Sequence, residues 1–170
     1  MRFLILFIFL TTNVFANDVS EIKNIVIHKD LKVYDNVIFL DKNDKKINIK
    51  EFNGNLLLLN FWATWCEPCK EEMPSLDRLQ INENFSNLKI FAINISQENK
   101  KKVDSFFKDL NIKNFDPYFD APTTLAKTFS LRGVPTSILI DKNGKEFARI
   151  IGSIDFDDKI FINWLKICLL

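Results

Sequence analysis

The stretch of sequence that decides the fold spans residues 56–74 and reads LLLLNFWATWCEPCKEEMP. It begins with an apolar run that only Asn60 interrupts, which is typical of a central strand buried on both faces. A helix is predicted to begin around Cys66 and to continue to about Phe85. Pro74 lies inside this helix, so we expect a kink or a break there. The two cysteines therefore lie where a buried strand gives way to a helix.

The motif Cys66-Glu67-Pro68-Cys69 places both thiols in the first turn of the predicted helix. Unpaired backbone N–H groups and the helix dipole at that end favour a thiolate on Cys66. Cys69 is within reach of a disulfide but is more covered by the helix. Pro68 suits the first turn, where its missing N–H has no intrahelical partner. We therefore interpret Cys66 as the nucleophile and Cys69 as the resolving thiol.

Other uses of a CxxC motif fit the chain less well. A structural zinc site needs more ligands than one CxxC supplies, and outside it the only His and Cys are His28 and Cys168. Covalent haem attachment needs a histidine directly after the second cysteine, but residue 70 is Lys. A passive disulfide is not usually placed at a strand-to-helix junction after Trp62 and Trp65. We therefore predict a redox-active dithiol, with neither a metal nor a cofactor.

The hydrophobic pattern of the whole chain predicts an α/β fold. In chain order the predicted elements are a β-hairpin (37–40 and 47–49), the central strand, the first helix, a strand (88–95), two helices (99–111 and 123–129), a second β-hairpin (136–140 and 146–151) and a closing helix from residue 155. One βαβ crossover followed by a hairpin and a helix predicts a central sheet between helices.

Composition excludes some classes of function. The chain has 170 residues, the size of one domain, and its 23 Lys+Arg against 22 Asp+Glu give no indication of nucleic-acid binding. Its three cysteines are fewer than in small disulfide-stapled proteins, which favours redox chemistry over stapling. Cys168 lies at helical spacing from Trp164 and Leu165, so we expect a buried, inert thiol rather than a second redox centre. His28 is assigned no role.

The amino terminus has the pattern of an export signal. Met1-Arg2 precedes an apolar run over residues 3–10, and small Ala16 marks an approximate cleavage site. We expect a signal peptide at 1–16, an N-terminal extension at 17–35 and the main domain at 36–170. A retained signal anchor and a buried first element are the alternatives. The predicted location is the periplasm or another extracytoplasmic space, with a membrane tether if the terminus is not cleaved.

Two blocks of the chain resemble a known family. Residues 60–70, NFWATWCEPCK, are similar to the active-site segment of thioredoxin-fold proteins, and the EEMP that follows resembles the TlpA/ResA/CcmG-like branch of exported thiol–disulfide reductases. The second block is GVPTSILIDKNG at residues 133–144. The resemblance covers residues 37–168 and implies a thioredoxin fold, with a central mixed sheet flanked by helices. The N-terminal β-hairpin and the helix inserted before the second block also fit this branch.

The resemblance also implies a substrate site and partners. It implies a cis peptide bond before Pro135, packed opposite the dithiol, and a Val134 backbone that pairs with an extended substrate segment. The expected substrates are proteins with disulfides, apocytochrome c being a candidate. The expected electron donor is a thiol protein of the membrane. Trp65, next to the dithiol, is expected to support the site and to report its redox state.

The chain departs from the thioredoxin pattern in one place. Thioredoxins commonly carry a buried Asp where this chain has Asn60, and an amide cannot accept the proton that Cys69 loses. Glu72, one turn beyond Cys69 on the same helix, is our candidate for that role. The alternative is that Glu72 is a solvated carboxylate on the helix surface.

The direction of electron flow is predicted from Glu67. A carboxylate beside Cys66 opposes the helix dipole, which leaves the thiolate less stabilised than in strong oxidants and predicts a reductant with a potential below about −200 mV. A disulfide oxidase or isomerase is the open alternative. A peroxiredoxin-like peroxidase is disfavoured, because no Pro-x-x-x-Thr stretch precedes Cys66. A non-catalytic scaffold is disfavoured because both thiols are present.

Overall fold

The computed structural model describes residues 24–120 and 124–168. The strands are β1 (Ile25–Val33), β2 (Ile38–Leu40), β3 (Lys46–Asn48), β4 (Leu56–Trp62), β5 (Leu88–Asn94), β6 (Pro117–Phe119), β7 (Thr136–Ile140) and β8 (Lys145–Ile151). The α-helices are α1 (Glu67–Gln80), α2 (Lys100–Asp109), α3 (Leu125–Thr128) and α4 (Lys159–Cys168), and short 3-10 helices cover Ile49–Phe52 and Glu83–Phe85.

Within the described residues, the strands form one eight-stranded sheet in the order β1-β8-β7-β4-β5-β6-β2-β3. Strand β4 pairs in parallel with β5 and antiparallel with β7, so the sheet is mixed. The connection from β4 through α1 to β5 is the βαβ crossover that the sequence predicts. The predicted central mixed sheet flanked by helices is confirmed.

Strand β4 is buried over its whole length because apolar side chains cover both faces of the sheet. On one face Leu58 and Trp62 join a core cluster that α1, α2 and α4 supply. On the other face Leu59 and Phe61 join a second cluster that includes Leu125 of α3. This alternation explains why an uninterrupted apolar run forms a strand here. Because both clusters pack against β4, the carboxyl end of this strand lies between two packed layers. The cysteines follow that end of the strand.

Several boundaries differ from the predicted ones. Helix α1 continues past Pro74 without a break and ends at Gln80 rather than near Phe85, because the Asn82 side chain caps a separate 3-10 turn. The closing helix begins at Lys159 rather than at residue 155, since Asp158 accepts hydrogen bonds from the N–H groups of the first turn.

Strands β1 and β6 were missed by the sequence pattern. Strand β1 lies within the stretch interpreted as an N-terminal extension, and it pairs with β8 at the edge of the sheet. Strand β6 is only three residues long. The predicted helix 123–129 begins at Leu125 within the described residues.

The predicted signal peptide at 1–16 lies outside the described residues. None of the helices that the structure describes is both long and apolar enough to span a bilayer.

Candidate active site

The two cysteines of the CxxC motif meet at the amino terminus of α1. Cys66 is the N-cap residue, and its Sγ accepts a hydrogen bond from the N–H of Cys69 at 3.2 Å. The two sulfurs form a disulfide with an S–S distance of 2.06 Å. Cys66 is 4% exposed and Cys69 is fully buried at 0%. The N–H of Cys69 and the dipole of α1 both favour negative charge at the sulfur of Cys66, the less buried of the two cysteines.

The residues next to the cysteines differ in exposure and charge. Trp65 is 66% exposed, although it directly precedes a buried cysteine. Pro68 lies in the first turn of α1, as predicted. The carboxylate of Glu67 is exposed and forms an ion pair with Lys70 at 2.6 Å. This pairing offsets both charges, so the effect of Glu67 on the thiolate is smaller than the sequence alone suggests.

The second block of the resemblance forms the loop that leads into β7. The peptide bond between Val134 and Pro135 is cis, as the resemblance implies. The carbonyl of Pro135 accepts a hydrogen bond from the N–H of Gly152 at 2.9 Å, which ties the loop to the end of β8. Val134 packs against the core cluster that contains both cysteines. The loop and the dithiol therefore border the same part of the core.

Glu72 is buried in the interior behind the dithiol. It is 2% exposed, so the alternative interpretation as a solvated carboxylate is wrong. Its Oε1 accepts a hydrogen bond from Asn60 Nδ2 at 2.7 Å, and its Oε2 accepts one from the N–H of Ile154 at 3.4 Å. Burial outweighs these two bonds and raises the pKa of Glu72 from 4.5 to about 8. Glu72 therefore holds its proton up to mildly alkaline pH in the disulfide form.

Asn60 links this carboxyl to the neighbouring strand. Its Nδ2 also donates to Ser137 Oγ at 3.0 Å, across the pairing of β4 with β7. Its Oδ1 is buried and has no hydrogen-bond partner among the described residues. Asn60 thus donates a hydrogen bond to the candidate proton acceptor and accepts none in return.

A second carboxylate holds the segment that precedes the cysteines, and the sequence analysis did not identify it. Glu98 accepts hydrogen bonds from both the backbone N–H and the hydroxyl of Thr64. Ser96 donates to the same carboxylate at 2.6 Å, and Lys102 of α2 forms an ion pair with it. Burial raises the pKa of Glu98, but the bonds from Lys102, Ser96 and Thr64 outweigh it and lower the pKa to about 2. This contact joins the inserted helix to the active-site segment.

Apolar contacts also join α2 to the segment that precedes the cysteines. Trp62 is fully buried at the end of β4. Its ring stacks on Phe106 of α2 at a centroid distance of 4.7 Å and lies 5.5 Å from Phe107. The helical spacing of Val103, Phe106, Phe107 and Leu110 predicted α2 from the sequence, but it did not predict the contact of this helix with Trp62.

The chain matches known proteins over most of its length. Residues 21–159 match the Redoxin family. The chain is a member of the Redoxin family. It is 38% identical over 117 residues to the thiol-disulfide oxidoreductase ResA of Bacillus cereus, covering 69% of this chain and 66% of that protein. It is 30% identical over 121 residues to ResA of Geobacillus thermodenitrificans, covering 71% of this chain and 68% of that protein. The resemblance to the TlpA/ResA/CcmG-like branch is confirmed.

Solved structures show the fold of this Redoxin-family chain. StoA from Bacillus subtilis has a TM-score of 0.65 at 24% identity, covering 78% of this chain and 98% of that chain. A thiol:disulfide interchange protein of the thioredoxin family from Chlorobium tepidum TLS has a TM-score of 0.66 at 22% identity, covering 84% of this chain and 99% of that chain. The predicted thioredoxin fold is confirmed.

The remaining histidine and cysteine lie away from the dithiol of this Redoxin-family chain. His28 Nε2 lies 2.6 Å from Oε1 of the buried Glu146, which also accepts hydrogen bonds from Tyr34 and Arg149. No sequence pattern indicates this cluster, because 118 residues separate His28 from Glu146. Cys168 is a half-buried free thiol, and burial raises its pKa to about 11. A thiol with so high a pKa is unreactive at neutral pH.

Proposed function

We propose that this chain is an exported thiol–disulfide oxidoreductase that reduces disulfides in other proteins. The observation that carries the proposal is the pairing of Cys66 with Cys69 at the amino terminus of α1. The sulfur of Cys66 accepts a hydrogen bond from a backbone N–H there and belongs to a residue that is 4% exposed, whereas Cys69 is fully buried. The confirmed family and the ResA relatives support the same chemistry.

The reaction follows from the different exposure of the two sulfurs. The Cys66 thiolate attacks one sulfur of the substrate disulfide, forms a mixed disulfide and releases the other substrate sulfur as a thiolate. Deprotonated Cys69 then attacks Cys66 Sγ, which forms the Cys66–Cys69 disulfide and releases the second substrate thiolate. Two electrons and two protons pass to the substrate. The loop at Val134 and Pro135 is the proposed docking strand for the extended substrate.

Glu72 is the proposed acceptor of the proton that Cys69 loses. Only the ionised carboxyl group can accept this proton, and a pKa of about 8 leaves Glu72 mostly protonated at neutral pH, so the transfer is proposed for the ionised minority. That pKa is close to the value of about 8.5 for an ordinary thiol, so the transfer itself costs little free energy. A cavity of about 360 Å³ beside Glu72, lined also by Glu71, Ser75, Arg78 and Asp155, provides a polar route for the proton. Asn60 acts as a positioning residue that orients the carboxyl group.

The proposed direction is reduction of the substrate. In strong oxidants of this fold the thiolate is strongly stabilised, which favours the reduced form of the protein. Here Cys66 receives one backbone hydrogen bond and the field of α1, while Lys70 is occupied by its ion pair with Glu67. A weakly stabilised thiolate predicts a dithiol that gives up its electrons readily. Disulfide oxidation or isomerisation is the second candidate for the same thiols.

The proposed setting and partners follow from the export pattern of residues 1–16 and from the resemblance. An extracytoplasmic space is oxidising, so a reductase there needs a supply of electrons, and a thiol protein of the membrane is the proposed donor. Apocytochrome c, reduced before haem attachment, is the proposed substrate. Tethering of the chain by an uncleaved terminus is compatible with both partners.

The first experiment is a redox titration of the purified protein in graded dithiol/disulfide buffers. Fluorescence of the exposed Trp65 reports the state of the neighbouring dithiol, and a Cys69→Ser variant is the control for changes unrelated to the disulfide. A midpoint below about −230 mV, near that of thioredoxin, supports the reductase. A midpoint near about −120 mV contradicts it and favours an oxidase.

The second experiment tests the substrate. The Cys69→Ser variant lacks the resolving thiol, so Cys66 should accumulate a mixed disulfide with an oxidised apocytochrome c that contains CxxCH. The Cys66→Ser variant is the matched control and should form no such adduct. Equal capture of unrelated disulfide proteins would contradict apocytochrome c as the specific substrate, while leaving the chemistry of the dithiol intact.

A further inference from the structure

A cavity of about 350 Å³ lies beside the loop that contains the cis peptide bond. It is open between the edge strand β1, the end of β8 and the segment that follows α3. The lining residues include Lys32, Leu131, Arg132, Thr136, Arg149 and Ile151. The chemistry of the dithiol does not use this cavity.

The lining of the cavity is cationic. Lys32, Arg132 and Arg149 contribute guanidinium or ammonium groups, and no Asp or Glu is among the lining residues. Arg149 forms an ion pair with Glu146, so its charge is neutralised. The carboxylate of Glu146 is fully buried and does not line the cavity. Lys32 and Arg132 are exposed and form no ion pair among the described residues. Two positive charges therefore lack a carboxylate partner here.

The cavity is continuous with the proposed docking strand for the substrate. Arg132 is separated from Val134 only by Gly133, and Thr136 follows Pro135 directly and also lines the cavity. A polypeptide paired with the Val134 backbone spans about 3.3 Å per residue. A segment paired with the Val134 backbone therefore runs beside Arg132 and Thr136, which line the cavity.

We propose that this cavity binds an acidic side chain of the substrate segment, so that the protein prefers disulfides flanked by Asp or Glu. The inference rests on the proposed function and names the class of substrate that the same site accepts. The unpaired charges of Lys32 and Arg132 attract the carboxylate. The apolar side chains of Val26, Leu131 and Ile151 cover the aliphatic part of the bound segment.

The test compares two disulfide-bonded peptides of identical length in thiol–disulfide exchange. One peptide carries Glu residues beside its cysteine, and the other carries Gln at the same positions. Exchange is measured in both directions, with reduced protein on peptide disulfide and with oxidised protein on peptide dithiol. Charge selectivity is then visible whichever direction the protein favours.

The variant Lys32→Gln/Arg132→Gln removes both unpaired charges from the cavity. The matched control Lys89→Gln/Lys101→Gln removes the same net charge from exposed positions on β5 and α2. The native protein and the control should prefer the Glu peptide about five- to tenfold in second-order rate constant, as expected for one or two partly screened ion pairs. The cavity variant should lose this preference and exchange with the Glu and Gln peptides at equal rates. High salt should remove the preference from the native protein.

Each outcome has a distinct meaning. Equal rates with both peptides in the native protein overturn the acidic-substrate inference while leaving the thiol–disulfide function intact. Loss of the preference in the control as well as the cavity variant assigns it to the overall charge of the protein and also overturns the inference. Absence of exchange with either peptide in both directions overturns the proposed function and the inference together.

Discussion

Replacing Glu72 by Gln should change how the free energy of unfolding depends on pH. Glu72 is 2% exposed, and burial raises its pKa from 4.5 to about 8 in spite of hydrogen bonds from Asn60 and Ile154. Gln has nearly the same shape but no titratable group. The substitution therefore removes the effect of this ionisation on stability while disturbing the packing little.

The sign of the effect follows from proton linkage. Between pH 4.5 and about 8 the folded protein keeps the proton on Glu72, whereas the unfolded chain releases it, so stability falls as pH rises through this window. Each pKa unit corresponds to about 1.4 kcal/mol. The native protein should therefore lose on the order of 4 kcal/mol at Glu72 by about pH 8, and Glu72→Gln should lose none of it.

The measurement is urea unfolding of the oxidised proteins at several values from about pH 5 to pH 8.5. The disulfide form is used because Cys66 and Cys69 do not titrate in it. The unfolding free energy of the variant minus that of the native protein should rise by about 4 kcal/mol over this range. Glu71→Gln removes a carboxyl group from an exposed position of the same helix and should give no comparable rise. A difference for Glu72→Gln that stays constant with pH would refute the raised pKa.

Three further predictions concern Glu98, Phe106 and Cys168. Glu98→Gln should lower the unfolding free energy by about 1 to 2 kcal/mol at neutral pH. In urea titrations this difference should fade as the pH falls from 4.5 through about 2, where Glu98 itself becomes protonated. Phe106→Ala removes the ring that stacks on Trp62 and should cost about 3 kcal/mol or more, measured the same way at pH 7. Cys168→Ser should leave the redox midpoint unchanged, since that thiol is protonated at neutral pH; a shifted midpoint would show that it participates.

Local patterns were sufficient for the elements that form the centre of the molecule. The apolar run of residues 56–62 identified β4, because only a strand covered on both faces tolerates such a run. The position of Cys66 at the start of a helix was readable from the change in pattern and from Pro68. The preference of a helix terminus for an anion then predicted which sulfur is the nucleophile. These conclusions depended only on the pattern of residues that are close together in the sequence.

Contacts between distant residues were not readable in the same way. The short strand β6 and the edge strand β1 exist because of the strands with which they pair, and neither has a strong pattern of its own. Of the kink or break predicted at Pro74, the break did not occur, since the helix continues through this residue at the loss of one backbone hydrogen bond. The pairing of Glu98 with Thr64 joins residues that are 34 positions apart.

The sequence by itself determined the α/β fold class and the pair Cys66 and Cys69, because each follows from a local pattern with a physical reason, whereas the loop at Pro135 was implied by the resemblance to a known family. Only the tertiary structure decided the chemical state of the carboxyl groups. Glu67 and Glu72 lie on one helix, yet the first is exposed beside Lys70 and the second is buried with a raised pKa. The free energy of an ionised group depends on the solvent and charges around it, and the packing of distant segments sets both.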